Sequence, residues 1–167
     1  PQLDIIQSAT TSNTANNRVF VIDFGFDITL NNLTIRNGKF KNTGSTGGGA
    51  IYNKGDLNIN NCIFINNVTD RDSESTPYGS AIYSTRGQIN INNSLFKQNG
   101  DDNQYGPDCI SVRADGNDTG LSVLNSTITM NSIGGIKYDA TNKTQKFFSL
   151  TNSTIYNNSG YGVRISR

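Results

Sequence analysis

Apolar residues in this chain come in short alternations, and asparagine closes each one. Leu57 and Ile59 alternate with Asn58 and Asn60, and Ile89 and Ile91 with Asn90 and Asn92; Phe148 and Leu150 follow later. A period of two is that of a strand with one buried face. The alternations belong to a longer motif written five times: LNNLTIRNG from Leu30, INNCIFINN from Ile59, INNSLFKQN from Ile91, VLNSTITMN from Val123 and LTNSTIYNN from Leu150. It reads apolar, any, Asn, small, any, Phe or Ile, two of any kind, then Asn or Gly. The central Asn falls at 32, 61, 93, 125 and 152, with spacings of 29, 32, 32 and 27 residues. A period of this size marks a solenoid, propeller or array.

Each repeat reads as three short strands. In the second unit, residues 49–53 form one strand and 54–56 a turn whose Gly supplies unusual backbone angles. Residues 56–60 form the second strand, with Leu57 and Ile59 on one face. Asn61 is a corner, and 62–66 is the third strand with Phe64 inward; a longer loop then leads to Gly79. The other units supply Phe20, Ile28, Leu30 and Ile35; Ile82, Ile89, Ile91 and Phe96; Ile110, Leu121, Val123 and Ile128; and Ile136, Phe148, Leu150 and Ile155, with Val163 and Ile165 in a partial last unit. This predicts an all-β, right-handed single-stranded parallel β-helix, a pectate-lyase-like solenoid of about five to six turns, in one domain over residues 1–167. Ile51, Ile82, Ile110, Ile136 and Val163 then stack like on like, one strand spacing of about 4.8 Å apart.

The asparagines are explained by the corners. A tight bend between strands needs a residue that tolerates left-handed backbone, and Asn is one of the few. Asn32, Asn61, Asn93, Asn125 and Asn152 are therefore expected to lie above one another as a structural ladder. Each amide bond along the axis nets on the order of 1 kcal/mol. A second, weaker ladder is expected through Asn67, Asn99, Asn131 and Asn158.

Composition narrows the function classes. The 167 residues are 34% hydrophobic and 16% charged, with no His, no Trp and a net charge of +1. Lys and Arg are scattered, which excludes nucleic acid as a partner. No apolar run is long enough for a transmembrane helix, so no direct membrane insertion is expected of this segment. No secretory leader is visible, and the start at Pro1 without Met reads as a processed or excised piece. Cys62 and Cys109 fit no metal spacing and read as unpaired thiols. Acidic residues avoid the strands; Asp56 and Asp108 flank them without an evident partner on the same face. Sugar hydrolysis needs two carboxylates held together on a rigid face, so no catalytic residue is assigned and the chain reads as a non-enzyme.

The candidate binding face is the outward column of the first strand: Val21, Tyr52, Tyr83, Ser111, Lys137 and Arg164. Tyr52 and Tyr83 fall on adjacent turns, where two exposed parallel rings make a platform for a sugar face. Arg113 and Lys137 lie close enough to bind hydroxyls or carboxylates beside them. A small column at Ala50, Ala81, Cys109, Gly135 and Gly162 is expected to point outward next to it. No cofactor is required; calcium is the one candidate, in loops carrying Asp70, Asp72 and Glu74 or Asp101, Asp102 and Asp108, or at Asp115-Gly116-Asn117-Asp118. Of eight Asn-x-Ser/Thr sequons, those at Asn32, Asn125 and Asn152 are expected to be closed by the ladder. Asn117 and Asn142 are the expected glycan carriers.

Gly-Gly-Ala-Ile at 48–51 with Phe-x-x-Asn at 64–67 and 96–99 resembles the repeat signature of polymorphic outer-membrane adhesins. The wording AIYNKGDLNINNCIFINN, with the opening RVFVIDFGFDITLNNLTIRNG, is closer still to adhesin-like surface proteins of methanogenic archaea. In later turns Gly-Gly-Ala-Ile becomes Pro-Asp-Cys-Ile, and Phe becomes Ile. The resemblance implies an extracellular, cell-surface module of a longer protein, with further β-helix or anchor domains. It would contact a cell-surface glycan or a protein of another cell. The alternatives are a passive stalk and, third, a polysaccharide lyase or glycoside hydrolase.

Overall fold

The computed structural model describes residues 3–42, 46–71, 78–100, 106–115, 118–140 and 147–166. Over these residues the chain is all-β, with short parallel strands stacked into a solenoid of about five turns and no helix. First strands Phe20–Ile22, Ile51–Asn53, Ile82–Ser84, Ile110–Arg113, Ile136–Asp139 and Val163–Ser166 stack in that order as one sheet. Second strands Asp27–Asn31, Asp56–Asn60, Gln88–Asn92, Gly120–Leu124 and Phe147–Thr151 form another. The third sheet holds Asp4–Gln7, Leu33–Arg36, Ile63–Ile65, Leu95–Lys97, Thr127–Thr129 and Thr154–Tyr156.

The register is like on like, as the repeat spacing requires. Ile82 lies opposite both Ile51 and Ile110, and Ile136 opposite Ile110 and Val163. Phe64 and Phe96 stack with centroids 4.5 Å apart. The inward residues of the middle turns are fully buried, and each such Ile or Phe contributes roughly 1.5–3 kcal/mol. A turn has no partner layer of its own, so this burial exists only because the turns stack.

One element differs from the sequence expectation. The segments read as loops after the third strand begin as strands, Lys39–Asn42 and Val68–Arg71, which pair in parallel. An ion pair between Lys39 and Asp70 at 3.3 Å ties them together.

The corners carry left-handed backbone at Asn32, Asn61, Asn93, Asn125 and Asn152, with φ between 46° and 56°. Their exposed amides bond along the axis: Asn61 donates to Asn32 at 2.6 Å, Asn93 to Asn61 at 3.4 Å and Asn152 to Asn125 at 2.7 Å. The remaining rung is displaced, because Asn125 donates to Asn92 rather than to Asn93. Asn32, Asn125 and Asn152 are exposed rather than enclosed; it is their amides that the ladder occupies.

The second ladder corrects the expectation, since it is the buried and more extensively bonded one. Asn67 Nδ2 donates to Asn99 Oδ1 at 3.0 Å, Asn99 to Asn131 at 3.1 Å and Asn131 to Asn158 at 2.9 Å. Each accepting oxygen also takes the backbone N–H of the turn before it. Each Nδ2 further reaches a third-strand carbonyl: Ile35, Phe64, Phe96 and Ile128. The left-handed residue at this corner is the one before the ladder: Asn66, Gln98, Met130 and Asn157. That twist turns the following Asn inward. A serine ladder accompanies it, with the N–H groups of Cys62, Ser94 and Ser126 donating to the hydroxyls of Ser94, Ser126 and Ser153.

The small column also departs from expectation. Ala50, Ala81 and Cys109 are buried in the core, not outward. They sit at the corner before the strand begins, so strand alternation does not apply to them. A Cβ on Gly135 would come within 2.9 Å of Ile155 and 3.4 Å of the Asn158 amide. Small residues here leave room for the inner amides. Both cysteines are unpaired, as expected, and both are buried.

Candidate functional site

The outward column of the first strand gathers its predicted members into one cluster. Tyr52 and Tyr83 are register partners with parallel rings 5.6 Å apart. Tyr78 stacks on the other side of Tyr83 at 4.9 Å. Lys137 Nζ lies 5.0 Å over the Tyr78 ring, and the Arg113 charge acts on the Tyr83 hydroxyl. Tyr52 is flanked by the cations of Arg18 and Lys54, at 5.1 and 5.2 Å.

The geometry differs from an open platform in one respect. Tyr83 is only 1% exposed, sandwiched between Tyr52 and Tyr78, so it presents no face to solvent. Burial pushes its hydroxyl up to about 12, against the opposing pull of the Arg113 charge. The Asp115 carboxylate, 3.0 Å away, raises the Arg113 guanidinium above its ordinary value. Lys137 sits 4.0 Å from Asp139. Each cation of the column already has an anionic or aromatic neighbour, and Tyr52 is its half-buried ring.

The acidic candidates divide. Asp72, Glu74, Asp101, Asp102, Gly116, Asn117 and Asn142 lie outside the described residues. Asp70 is paired with Lys39, and burial pushes the Asp108 carboxyl up despite nearby Lys137 and Arg164. Among the described residues no three His, Cys, Asp or Glu side chains gather to hold a metal.

A second place was not expected from the repeat. At the corner between first and second strands, an open cleft of about 400 Å³ runs across four successive turns. The first turn contributes Phe24 and Phe26, which are 71% and 62% exposed. The second contributes Lys54 and Asp56, the third Arg86, and the fourth Asp118. Asp27 and Asp56 are register partners, which corrects the expectation that Asp56 has no acidic neighbour on its face. Each is oriented through Oδ1: Asp27 accepts from Asn58 at 3.1 Å, and Asp56 from the Gln88 backbone at 2.7 Å. Glycine backbone forms the base, because a Cβ on Gly55 would collide with the Phe26 carbonyl and one on Gly87, at φ +77°, with Gly55. The signal was Asp23-Phe24-Gly25-Phe26-Asp27, two aromatics in a turn that later repeats fill with Lys54-Gly55 and Arg86-Gly87.

No family model, no curated protein and no solved structure matches this chain.

Proposed function

We propose that this chain is a non-catalytic binding module of an extracellular, cell-surface adhesin. It would hold a glycan or the surface of a partner cell on the outside of a rigid solenoid, within a protein carrying further β-helix or anchor domains. The observation that carries the reading is the outer face of the second-strand sheet. Thr29, Asn58, Asn90, Ser122 and Ser149 fall in register, and so do Asn31, Asn60, Asn92 and Thr151 with Leu124 among them. Asn90 donates to Asn58 at 3.0 Å and Asn60 to Asn31 at 3.0 Å, so these amides are oriented before any ligand arrives. Polar groups repeated every strand spacing, about 4.8 Å, suit a polymer with repeating hydroxyls. Their fixed orientation lowers the ordering cost of binding.

The test is binding of the purified chain to a glycan array and to whole cells, with and without calcium. Specific binding supports the module. Calcium dependence would direct attention to the acidic loops, and absence of binding to every probe would favour a passive stalk.

One observation favours a second reading, glycoside hydrolysis. Asp27 and Asp56 lie on adjacent strands, and strand spacing is about 4.8 Å, close to the separation of retaining carboxylate pairs. Release of reducing sugar from a bound glycan, lost in Asp56→Asn, would establish an enzyme instead.

A further inference from the structure

We propose that the cleft at the first-to-second strand corner binds a neutral oligosaccharide, with a pyranose ring seated on Phe24 and Phe26. The proposal rests on the surface-binding reading above and gives it a site and a ligand class.

The exposure of these two rings is the starting point. Phe64 and Phe96 are fully buried in the core, whereas Phe24 and Phe26 stand in solvent two residues apart. A single exposed apolar residue needs no explanation. Two on either side of one glycine, at the edge of a cleft sized for a small ligand, do. Gly25, at φ +86°, has nothing within 4 Å of where a Cβ would lie, so the turn forms without covering either ring. The face of an aromatic ring is negative. It attracts the positively polarised C–H face of a sugar, which is apolar enough to leave water at little cost.

The polar groups of the cleft suit sugar hydroxyls. The Arg86 guanidinium lies 5.5 Å over the Phe24 ring and brings donors to the aromatic edge. Asp27 and Asp56 supply acceptors already held in place by Asn58 and Gln88. Such fixed groups lose little freedom on binding.

Charge selects among glycans. Asp27, Asp56 and Asp118 line the cleft against Lys54 and Arg86, and Lys54 is already paired with Asp23 at 3.1 Å. Carboxylates therefore predominate, and the local field opposes uronates and other polyanions. Phe24, Lys54, Arg86 and Asp118 come from four successive turns, which is three strand spacings or about 14 Å along the axis. That length fits a short oligosaccharide rather than a single sugar.

The test is titration of the whole chain with short cello-, manno- and chito-oligosaccharides, with oligogalacturonate as the charged comparison. The wild type is expected to bind at least one neutral series. Phe24→Ala with Phe26→Ala is expected to lose about tenfold or more in affinity, as buried aromatic anchors do. Arg86→Gln weakens binding, and Phe24→Tyr with Phe26→Tyr retains it. Both rings are exposed, so the variants keep their fold, which circular dichroism and thermal unfolding check. Binding that survives the double alanine variant overturns this site while leaving a surface-binding module intact. Preference for oligogalacturonate overturns the neutral assignment. Cell binding without any oligosaccharide binding removes this proposal alone, and loss of both removes the module reading with it.

Discussion

The backbone N–H and the side-chain amide of Asn99 both donate to one oxygen, Oδ1 of Asn131, at 2.9 and 3.1 Å. The same arrangement links Asn67 to Asn99 and Asn131 to Asn158. A buried amide column thus pairs the backbone that the inner corner would otherwise leave without partners.

The two asparagine columns should respond differently to substitution. Asn99→Ala leaves the buried N–H of Asn67 without its acceptor and removes five further bonds of the Asn99 side chain, for an expected loss of about 3 kcal/mol. Glycine gives no relief there, since the backbone at Asn99 is not left-handed. Asn93 is exposed with φ 49°; Asn93→Ala should cost about 1–2 kcal/mol in backbone strain, and Asn93→Gly should recover most of it. Urea denaturation of the four variants measures the difference. Recovery of Asn99 by glycine would show that its amide is not what matters.

The same contrast explains what the sequence discloses. Period-two alternation and the repeat spacing identify three strands per turn, and the Asn32 to Asn152 corners follow because few residues adopt left-handed backbone. The direction of the inner amides is hidden. Asn66-Asn67 and Asn157-Asn158 look alike residue by residue, and only the positive φ of Asn66 and Asn157 turns the second of each pair inward. Strand alternation extended through a corner puts Ala50 and Ala81 on the outer face, whereas both are buried. Val68–Arg71 carries no alternation, so its pairing with Lys39–Asn42 has no local signature. Phe24 and Phe26 lie in a turn, where the periodic pattern says nothing, and the Tyr83 ring is closed by Tyr78 from outside the repeat.

At the inner corner, Met130 occupies the left-handed position with φ 55° and is 45% exposed. A straight-chain residue pays a backbone penalty there that Asn tolerates better. Met130→Asn should stabilise the chain by roughly 0.5–1 kcal/mol, and Met130→Ala should not. Equal denaturation midpoints for all three proteins would contradict this account.

The two thiols should be inert in the folded state. Cys109 is fully buried beside the Asn99 amide, and burial pushes both thiols up from their ordinary range, Cys109 the further. Thiolate, not thiol, is the reactive form, so a disulfide reagent at neutral pH should label them no faster than the chain unfolds. Labelling faster than independently measured unfolding would mean local opening at one of these corners. Cys62→Ser should be nearly neutral, because Ser94, Ser126 and Ser153 place a hydroxyl at the same station and bond the carbonyl two residues back, as the Cys62 thiol does.

The enclosed Tyr83 ring gives the fold an alkaline limit. Its hydroxyl is pushed up to about 12 by burial, while in the unfolded chain a tyrosine ionises near 10. The unfolded state therefore loses its proton first as pH rises. The contribution of Tyr83 is fully present below pH about 10 and is lost as pH rises through about 12. Tyr83→Phe removes the ionisable group and the favourable field of Arg113 on the hydroxyl, so it should be somewhat less stable than wild type at neutral pH. That deficit should shrink between pH 10 and 12, because only the wild type loses stability from this residue there. Burial also raises Tyr138, but Tyr138 is common to both proteins and cancels in the difference. Urea midpoints of the pair across the alkaline range, with tyrosinate absorbance followed in parallel, provide the measurement. A stability difference that stays constant from pH 9 to 12 would mean that the ring is open to solvent, and would return Tyr83 to the exposed platform that its place in the repeat first predicts.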